Sequence, residues 1–306
     1  MQTLAPRVCD RTAPRVGSGT ITGVMSVPPS VVEAWSLGGT VEPLDGGQGT
    51  SVRAGDLVLK PRSDESLVIW HAQLCDRVTA SNFRLPAPVR SGDGRLVVDG
   101  WSATTFVTGH PVPEADGTVA SWNAVLDCSR AFHAAVADEP CPALLAARTD
   151  RWAAADRVTW NEDLPDELGH QSRELLRGMR ELILDEGLAP QVVHGDLSGN
   201  VLLSEGLPPA VIDISPYWRP ASYSDAIVVV DALLWWRADP ALVAVARPTK
   251  ISAAQWRSLL ARALVFRLLA FDEPSRDAVE VDDQLPRYAW VLNLLRTALP
   301  SGLATS

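Results

Sequence analysis

The sequence predicts an α+β fold of two lobes, a small antiparallel-sheet N-lobe followed by a mainly helical C-lobe. Between residues 41 and 107, short apolar segments alternate with glycine clusters, a pattern typical of antiparallel strands joined by tight turns. From Val119 onwards, apolar residues recur at helical spacing. Two short apolar runs, 192–193 and 201–203, flank a polar turn within this helical part. A sheet lobe, a helical lobe and a polar turn between buried strands therefore define the expected architecture.

The composition is that of a globular chain with a sizeable core. The 306 residues suffice for two lobes around a shared cleft, and 46% of them are hydrophobic. The 27 basic and 37 acidic residues give a net charge of −10, which argues against a nucleic-acid partner. The most apolar run, 226–236, is too short for a membrane span and carries Asp231. The spacing of the four cysteines is not that of a metal site, which favours free thiols and a cytoplasmic location: Cys9, Cys75, Cys128 and Cys141.

The N-lobe is expected to cover residues 26–107, after a disordered tail at 1–25 that lacks any periodic apolar face. A short helix that includes Val31, Val32 and Trp35 should begin within Pro28-Pro29-Ser30, because prolines favour the first helical turn. Three antiparallel strands are expected between residues 41 and 60, and a helix between 64 and 78. A hairpin turn at 92–94 should precede the last strand of this lobe, at 101–107.

The C-lobe is expected to cover residues 108–306. Its helices are predicted at 119–136, 168–183, 224–238, 252–271 and 278–299. The apolar runs 192–193, 201–203 and 210–214 predict three buried strands. These strands place His194, Asp196, Ser198 and Asn200 in one turn and bring Asp213 to the end of the third strand. No pattern in the sequence indicates an oligomeric state.

The polar residues at these strand ends point to a metal-assisted reaction. Carboxylate and amide groups among buried strands are costly unless something binds them. Two carboxylates and one carboxamide suit Mg²⁺, a hard cation that prefers oxygen ligands. With the phosphates of ATP completing the coordination shell, such a set makes a phosphoryl-transfer site.

The segments His194-Gly195-Asp196-Leu197, Asn200 and Ile212-Asp213-Ile214 together resemble the catalytic core of the aminoglycoside phosphotransferase and choline kinase family. These enzymes are small-molecule relatives of the protein kinases, so the resemblance implies a two-lobed protein-kinase-like fold. It also implies transfer of the γ-phosphoryl group of Mg-ATP to a hydroxyl of a small molecule. In that pattern the first Asp is the base, and the Asn and second Asp bind metal.

The resemblance assigns roles residue by residue. Asp196 would orient and deprotonate the acceptor hydroxyl, Asn200 and Asp213 would bind Mg²⁺, and Lys60 would bind the phosphates of ATP. Lys60 ends a strand at the spacing of the kinase phosphate lysine, and only two lysines stand among the 27 basic residues. The chain departs from the kinase pattern twice. Asn200 lies one residue closer to Asp196, and Ile-Ser instead of Phe-Gly follows Asp213.

Two further nucleotide contacts are expected from the N-lobe. The glycine-rich turn would cover the triphosphate with backbone N–H groups, although a plain turn is the alternative: Gly46, Gly47 and Gly49. Phe106 and Val107 resemble the hinge segment that contacts adenine, and an ordinary core strand fits them equally well. The partner of Lys60 is open, because the helix at 64–78 has no glutamate at its centre. Asp76 is our guess for it.

Other polar residues of the C-lobe leave alternatives open. His194 can belong to a Ser-His-Asp triad, but a structural ring bonded to backbone fits better, since Ser198 and Asp196 share its turn. Asp225 is expected to hold the catalytic loop, with direct substrate contact as the alternative. An acidic group can form a rim for a cationic acceptor or a solvated face: Asp150, Asp156, Glu162, Asp163, Asp166 and Glu167. Three tryptophans are candidates for stacking on an acceptor ring: Trp152, Trp160 and Trp218.

The alternative function is a non-catalytic, nucleotide-binding kinase-like protein that regulates a partner. The short Asp196–Asn200 loop and the missing central glutamate favour it. The joint presence of Lys60, Asp196, Asn200 and Asp213 favours the enzyme.

Overall fold

A computed structural model describes residues 27–44, 50–80, 82–112, 118–161, 163–164, 168–272 and 278–297. Within these ranges the chain has the α+β architecture that the sequence predicts. A five-stranded antiparallel sheet comes first and a set of helices with two small sheets follows. The expected tail at 1–25 and the glycine-rich turn at 46–49 lie outside the described residues.

The N-lobe sheet has the strand order β1-β2-β3-β5-β4. Its strands are β1 (Val41–Pro43), β2 (Val52–Ala54), β3 (Leu57–Lys60), β4 (Val97–Val98) and β5 (Trp101–Thr105). The first three form the antiparallel meander predicted between residues 41 and 60. Apolar side chains of β2 to β5 pack with Val31 of helix α1 (Pro29–Ala34) and with Trp35, the residue after it, into a small separate core.

Helix α2 (Glu65–Arg77) connects this sheet to the rest of the lobe. It begins where predicted, because the Asp64 side chain accepts hydrogen bonds from the backbone N–H groups of Ser66 and Leu67. Its residues Trp70 and Leu74 pack into the large core of the C-lobe instead of the small N-lobe core. α2 is therefore joined to both halves of the molecule.

The C-lobe is built from helices that surround one buried pair. The helices are α3 (Val119–Ala135), α4 (Arg151–Trp160), α5 (His170–Arg180), α6 (Ala221–Trp235), α7 (Leu242–Val245), α8 (Ala253–Phe271) and α9 (Ala278–Thr297), with a 3₁₀ turn at Ala143–Ala147. α6 and α8 are buried on almost every side, which agrees with their apolar sequences. No helix among the described residues combines the length and the apolar character needed to cross a bilayer.

Two small sheets carry the polar turn. β7 (Gln191–His194) pairs with β10 (Pro216–Arg219), and β8 (Val201–Ser204) pairs with β6 (His110–Pro111) and β9 (Leu207–Val211). β9 ends two residues before Asp213, so the predicted delivery of this residue to a strand end is confirmed.

The sequence analysis missed α4 and β10. Trp152 and Trp160, which we placed between helices, lie on α4. α4 lacks a clear apolar period. Its capping residue is of a type that marks helix starts, and in the structure the Asp150 side chain accepts hydrogen bonds from the N–H groups of Trp152 and Ala153.

Arg84 fixes the connection between the two lobes. Its backbone N–H donates to Pro209 O, and the N–H of Val211 donates back to Arg84 O, at 2.8 and 2.9 Å. Its guanidinium donates to Pro208 O at 2.7 Å and to Thr108 O at 2.8 Å. The segment after α2, the residues that follow β5 and strand β9 are thus held in one arrangement.

Candidate active site

The pairing of β7 with β10 fixes the start of the polar turn. The N–H of Gly195 donates to Ser215 O at 2.9 Å. A Cβ atom at position 195 would collide with the ring of Tyr217 on β10. Glycine is therefore required here, and this contact explains why the arginine of the protein-kinase pattern cannot stand at this position.

His194 is a structural residue of the loop, as its position in the sequence suggested. Its Nδ1 accepts the N–H of Asp196 at 3.0 Å, and its Nε2–H donates to Ile212 O at 3.1 Å. Burial lowers the pKa of His194, so the neutral ring is favoured. Because both ring nitrogens are bonded to backbone, neither is left to activate Ser198. The arrangement excludes the Ser-His-Asp triad.

A buried chain of hydrogen bonds from α3 and α6 holds the backbone N–H of His194. The N–H of His194 donates to Nε2 of His133 at 3.1 Å, and His133 Nδ1 bonds Ser129 Oγ at 3.2 Å. Ser129 donates to Asp225 at 2.6 Å, and Arg130 pairs with the same carboxylate at 3.1 Å. Burial lowers the pKa of His133 to about 3 and raises that of Asp225 to about 6. Asp225 supports the loop, as expected, but through these two side chains.

The short loop still returns Asn200 to Asp196. Gly199 has a φ of +83°, a conformation that favours glycine, and the Asn200 N–H closes the turn on Leu197 O at 3.0 Å. The Asn200 Nδ2 then donates to the backbone oxygen of Asp196 at 2.6 Å. Since its Nδ2 is the donor in this contact, the amide oxygen of Asn200 is the atom that can bind a metal.

Asp213 and Lys60 meet across the lobes. The Lys60 Nζ lies 2.9 Å from Asp213 Oδ1, and the two side chains are 47% and 44% exposed. Asp213 has a φ of +50°, an uncommon value for a residue other than glycine and a type of strain that clusters at functional sites. The N–H of Ile212 donates to Asn200 O at 3.0 Å. The structure thus brings Lys60, Asp196, Asn200 and Asp213 together.

The guess that Asp76 pairs with Lys60 is wrong. Asp76 is exposed near the end of α2, and Lys60 pairs with Asp213 instead. At the centre of α2 stands His71, whose Nε2 is buried without a hydrogen-bond partner. Burial lowers the pKa of His71 to about 4, and the nearby Asp213 carboxylate opposes that shift. The residue at the centre of α2 is thus a neutral imidazole and not a glutamate.

Sequence reasoning missed Arg267. This arginine of α8 is 1% exposed and lies 2.9 Å from Asp196 Oδ1 and 2.6 Å from Asp231 Oδ2, both measured from its Nη2. Burial raises the pKa of Asp231 to about 6, and Arg267 opposes this shift. The signal was present in the sequence, since a lone arginine in the apolar run ALVFRLLAF has to find acidic partners.

The described contacts of the hinge candidate Phe106 lie within the N-lobe. The Phe106 N–H donates to Asp56 O at 2.8 Å, and the guanidinium of Arg53 lies 3.7 Å above the Phe106 ring. Among the described backbone hydrogen bonds, none uses Val107. A nucleotide contact at this hinge would therefore involve Val107 or the carbonyl of Phe106, and it stays a prediction.

The donor set fits a magnesium ion that also binds phosphate. Asn200 and Asp213 offer oxygen atoms, the ligands that Mg²⁺ prefers. No group of three or more His, Cys, Asp or Glu side chains within the described ranges is arranged to hold a metal. Two protein ligands leave a shell that nucleotide phosphates and water have to complete.

Comparison with known proteins identifies the fold class of the chain. No protein-family model matches the chain, and no curated protein matches its sequence. An aminoglycoside phosphotransferase from Alicyclobacillus acidocaldarius superposes with a TM-score of 0.59 at 16% identity, over 92% of this chain and 96% of that one. The microcompartment-associated aminopropanol kinase gives 0.58 at 19% identity, over 87% and 94%. Spectinomycin phosphotransferase in complex with ADP and spectinomycin gives 0.52 at 12% identity, over 86% and 94%.

The chain has the two-lobed, protein-kinase-like fold of these small-molecule kinases. The resemblance that the His194–Asp213 segment indicated is confirmed at the level of the fold. At sequence identities of 12–19%, the reaction has to be argued from the residues of this chain.

Proposed function

We propose that the protein is an ATP-dependent phosphotransferase that moves the γ-phosphoryl group of Mg-ATP to a hydroxyl of a small molecule. The acceptor class is aminoglycoside-, sugar- or amino-alcohol-like. One connected set of contacts carries the proposal. Lys60 pairs with Asp213, Ile212 bonds Asn200, and Asn200 bonds Asp196. The candidates for the phosphate-binding cation, the two metal ligands and the base are thus connected to one another, and phosphoryl transfer uses such a set.

Each residue has a distinct task in this proposal. Asn200 and Asp213 would hold Mg²⁺, which neutralises phosphate charge and orients the phosphates when bound. Lys60 would exchange Asp213 for phosphate oxygens, an exchange favoured by the exposure of both side chains. Asp196 would orient the acceptor hydroxyl and accept its proton on Oδ2, because Arg267 occupies Oδ1.

The second candidate is a nucleotide-binding regulatory protein without catalysis. One observation favours it: within the described part of the chain, Lys60 pairs with Asp213 and with no acidic residue of α2. In protein kinases the pairing of this lysine with a helix glutamate accompanies the active arrangement.

Two substitutions separate these functions. Asp213→Asn should weaken binding of Mg-ATP, since it removes a metal ligand. Asp196→Asn should leave nucleotide affinity near the wild-type value while turnover falls by about 10²–10⁴-fold, the range of general-base contributions. Nucleotide affinity is measured by calorimetry, and turnover by ADP release with an acceptor panel. Asp138→Asn, at an exposed position beyond α3, is the matched control.

The outcomes are distinct. If both variants lose nucleotide equally, Asp196 is a metal ligand or a fold residue and its role here is wrong. If neither alters ATP binding or hydrolysis, the regulatory protein replaces the enzyme. Stabilisation by ATP with Mg²⁺ but not by ATP with EDTA would support metal-dependent nucleotide binding.

A further inference from the structure

The Asp196 carboxylate contacts a different side chain at each of its oxygens. Arg267 Nη2 lies 2.9 Å from Oδ1, and Asn200 Nδ2 lies 3.4 Å from Oδ2. The Arg267 side chain is 1% exposed, whereas that of Asp196 is 47% exposed. The contact at Oδ1 therefore comes from the protein interior, while nearly half of the carboxylate side chain stays open to an acceptor.

Arg267 is itself fixed by Asp231. Arg267 Nε donates to Asp231 Oδ1 at 2.7 Å, and Nη2 donates to Asp231 Oδ2 at 2.6 Å. Two parallel bonds to one carboxylate define the plane of a guanidinium group. Burial opposes the charge of Arg267, but the carboxylates of Asp231 and Asp196 outweigh it and raise the pKa of the guanidinium. The group is thus charged and held in one plane between α6 and α8.

One nitrogen of Arg267 joins the two carboxylates. Nη2 bonds both Asp231 Oδ2 and Asp196 Oδ1, and it lies 3.5 Å from Gly195 O. A half-exposed aspartate without such a bond is free to change its rotamer. Because Asp231 sets the plane of the guanidinium, it also sets the position of Asp196 Oδ1.

Two other pairs of the C-lobe show what neutralisation alone requires. Arg148 pairs with Asp150 at 2.9 Å, and Arg219 pairs with Asp156 at 2.6 Å. Each pair joins one arginine to one aspartate, whereas Arg267 joins two. Both aspartates belong to the predicted acidic rim, of which Glu162, Asp166 and Glu167 lie outside the described residues. Neutralising the buried Asp231 would not require the bond to Asp196, so this bond needs another explanation.

We propose that Arg267 and Asp231 are positioning residues for phosphoryl transfer, which hold Asp196 so that its Oδ2 faces the acceptor hydroxyl. The inference rests on the proposed function and adds two residues to it. The acceptor oxygen bonds the γ-phosphorus of ATP as the bond from that phosphorus to the β,γ-bridging oxygen breaks. The hydroxyl proton passes to Asp196 Oδ2, and ADP leaves. Both residues act through Asp196, so they affect kcat and not nucleotide binding.

The first experiment removes both buried charges together in the full chain. Arg267→Met alone would leave Asp231 buried and unpaired, so it is combined with Asp231→Leu, and chemical denaturation checks the fold. ADP release from Mg-ATP is measured with water, glucose, kanamycin and aminopropanol as acceptors, and the acceptor with the highest kcat/KM is kept for the variants. We expect kcat to fall about 10- to 100-fold, the cost of a misplaced catalytic group, while the KM for ATP changes less than about twofold.

The matched control removes another buried pair of α8. Arg262 lies 2.8 Å from Glu186, and the two side chains are 10% and 4% exposed. Arg262→Met with Glu186→Leu should leave kcat at the wild-type value, whatever it does to stability. Arg267→Lys is a second test that keeps the charge beside Asp231 but loses the planar fork, and it should lower kcat by a smaller factor.

The Asp196→Asn background separates positioning from a general loss of structure. Because Arg267 and Asp231 act through the base, replacing them in Asp196→Asn should change the residual kcat by less than about twofold. A purely structural effect would lower kcat by the same factor in both backgrounds.

The outcomes distinguish this role from the proposed reaction. A wild type that releases no ADP with any of the four acceptors contradicts the reaction, and the positioning role fails with it. An active wild type whose kcat is unchanged in the Arg267–Asp231 double variant overturns the role alone. Equal losses with and without Asp196, or a raised KM for ATP, also overturn it and leave the reaction standing. If the double variant does not fold, Arg267→Lys decides, and a wild-type kcat in that variant overturns the role.

Discussion

Two carboxylates of the cleft, Asp213 and Asp196, each contact a basic side chain at 2.9 Å, but their surroundings differ. The partner of Asp213 is Lys60, which is 47% exposed and belongs to the other lobe. The partner of Asp196 is Arg267, which is 1% exposed and also bonds the buried Asp231. The two carboxylates are similarly exposed, at 44% and 47%, so the pairs differ in the basic side chain, which is open to solvent in Lys60 and buried in Arg267.

The exposure of the basic partner determines which of the two contacts a ligand can replace. An exposed ion pair contributes little stability, so a phosphate group can take the place of Asp213 beside Lys60. Arg267 is buried and also held by Asp231 at 2.6 Å, so it cannot follow Asp196 into solvent, and moving Asp196 away would cost the buried guanidinium one of its two acidic partners. We infer that the metal-ligand candidate rearranges when nucleotide binds, whereas the candidate base keeps one orientation.

The largest expected effect is on the buried pair of Arg267 and Asp231, whose side chains are 1% and 0% exposed. Arg267→Met removes the cation and leaves Asp231 buried and unpaired, so the free energy of unfolding should fall by about 3–5 kcal/mol. Chemical denaturation measures this change. The double variant Arg267→Met with Asp231→Leu should recover most of the loss, because a buried ion pair can be replaced by apolar residues at little cost. A loss below about 1 kcal/mol in the single variant would contradict the comparison.

Low pH should also reduce the stability of the fold through the buried His133, which holds the backbone of His194. Burial lowers the pKa of His133 to about 3, so the folded state favours the neutral ring and loses stability as the pH falls below 6.5. Between pH 6.5 and 5 the contribution of His133 to the free energy of unfolding should fall by about 2 kcal/mol, since one pKa unit corresponds to about 1.4 kcal/mol. Asp225 and Asp231, each with a pKa raised to about 6, act in the opposite direction, because the folded state binds their protons more tightly than the unfolded state. His71, with a pKa lowered to about 4, adds to the loss.

A variant isolates the histidine contribution. His133→Gln keeps an acceptor for the N–H of His194 but does not titrate, while Asp225 is present in both proteins. Its free energy of unfolding should be lower at pH 7 and should depend less on pH between 6.5 and 5. Equal pH profiles for the variant and the wild type would mean that His133 does not carry the acid sensitivity.

The difference between the two pairs also separates what the sequence could predict from what it could not. Lys60, Asp196, Asn200 and Asp213 lie in or beside strands bounded by turn residues, so local patterns placed them. Arg267 lies 71 residues after Asp196 and reaches it through helix packing. Local spacing carries no information on such a contact, although the charge within an apolar helix pointed to a buried partner.

The same reasoning explains the elements that were predicted and missed. α2 and α8 carry clear caps and apolar faces, and their ends were found within one residue. α4 has alanines, charges and tryptophans without a helical period, and β10 has only the residues PYWR. The structure of α4 and β10 depends on partners distant in sequence. Tertiary packing therefore determines these elements, and the local apolar period does not predict them.

A smaller effect is expected on the exposed pair when its charge is kept but its shape is changed. Lys60→Arg replaces a compact ammonium group by a planar fork that has to fit between Asp213 and the nucleotide phosphates. We expect ATP affinity to fall about tenfold, equivalent to about 1.4 kcal/mol. Calorimetry with Mg-ATP measures the change. Lys250→Arg, at the other lysine of the chain, is the control, and unchanged ATP affinity in Lys60→Arg would remove Lys60 from the phosphate site.

The smallest expected effect is on stability at the same position. Lys60→Met removes the ion pair with Asp213, but both side chains are nearly half exposed, so water can solvate the carboxylate that is left. The free energy of unfolding without nucleotide should change by less than about 1 kcal/mol, while the stabilisation by Mg-ATP should be lost. Denaturation with and without Mg-ATP gives both values. A loss as large as that of Arg267→Met would show that Lys60 holds the lobes together, and the two pairs would then not differ in the way their exposure implies.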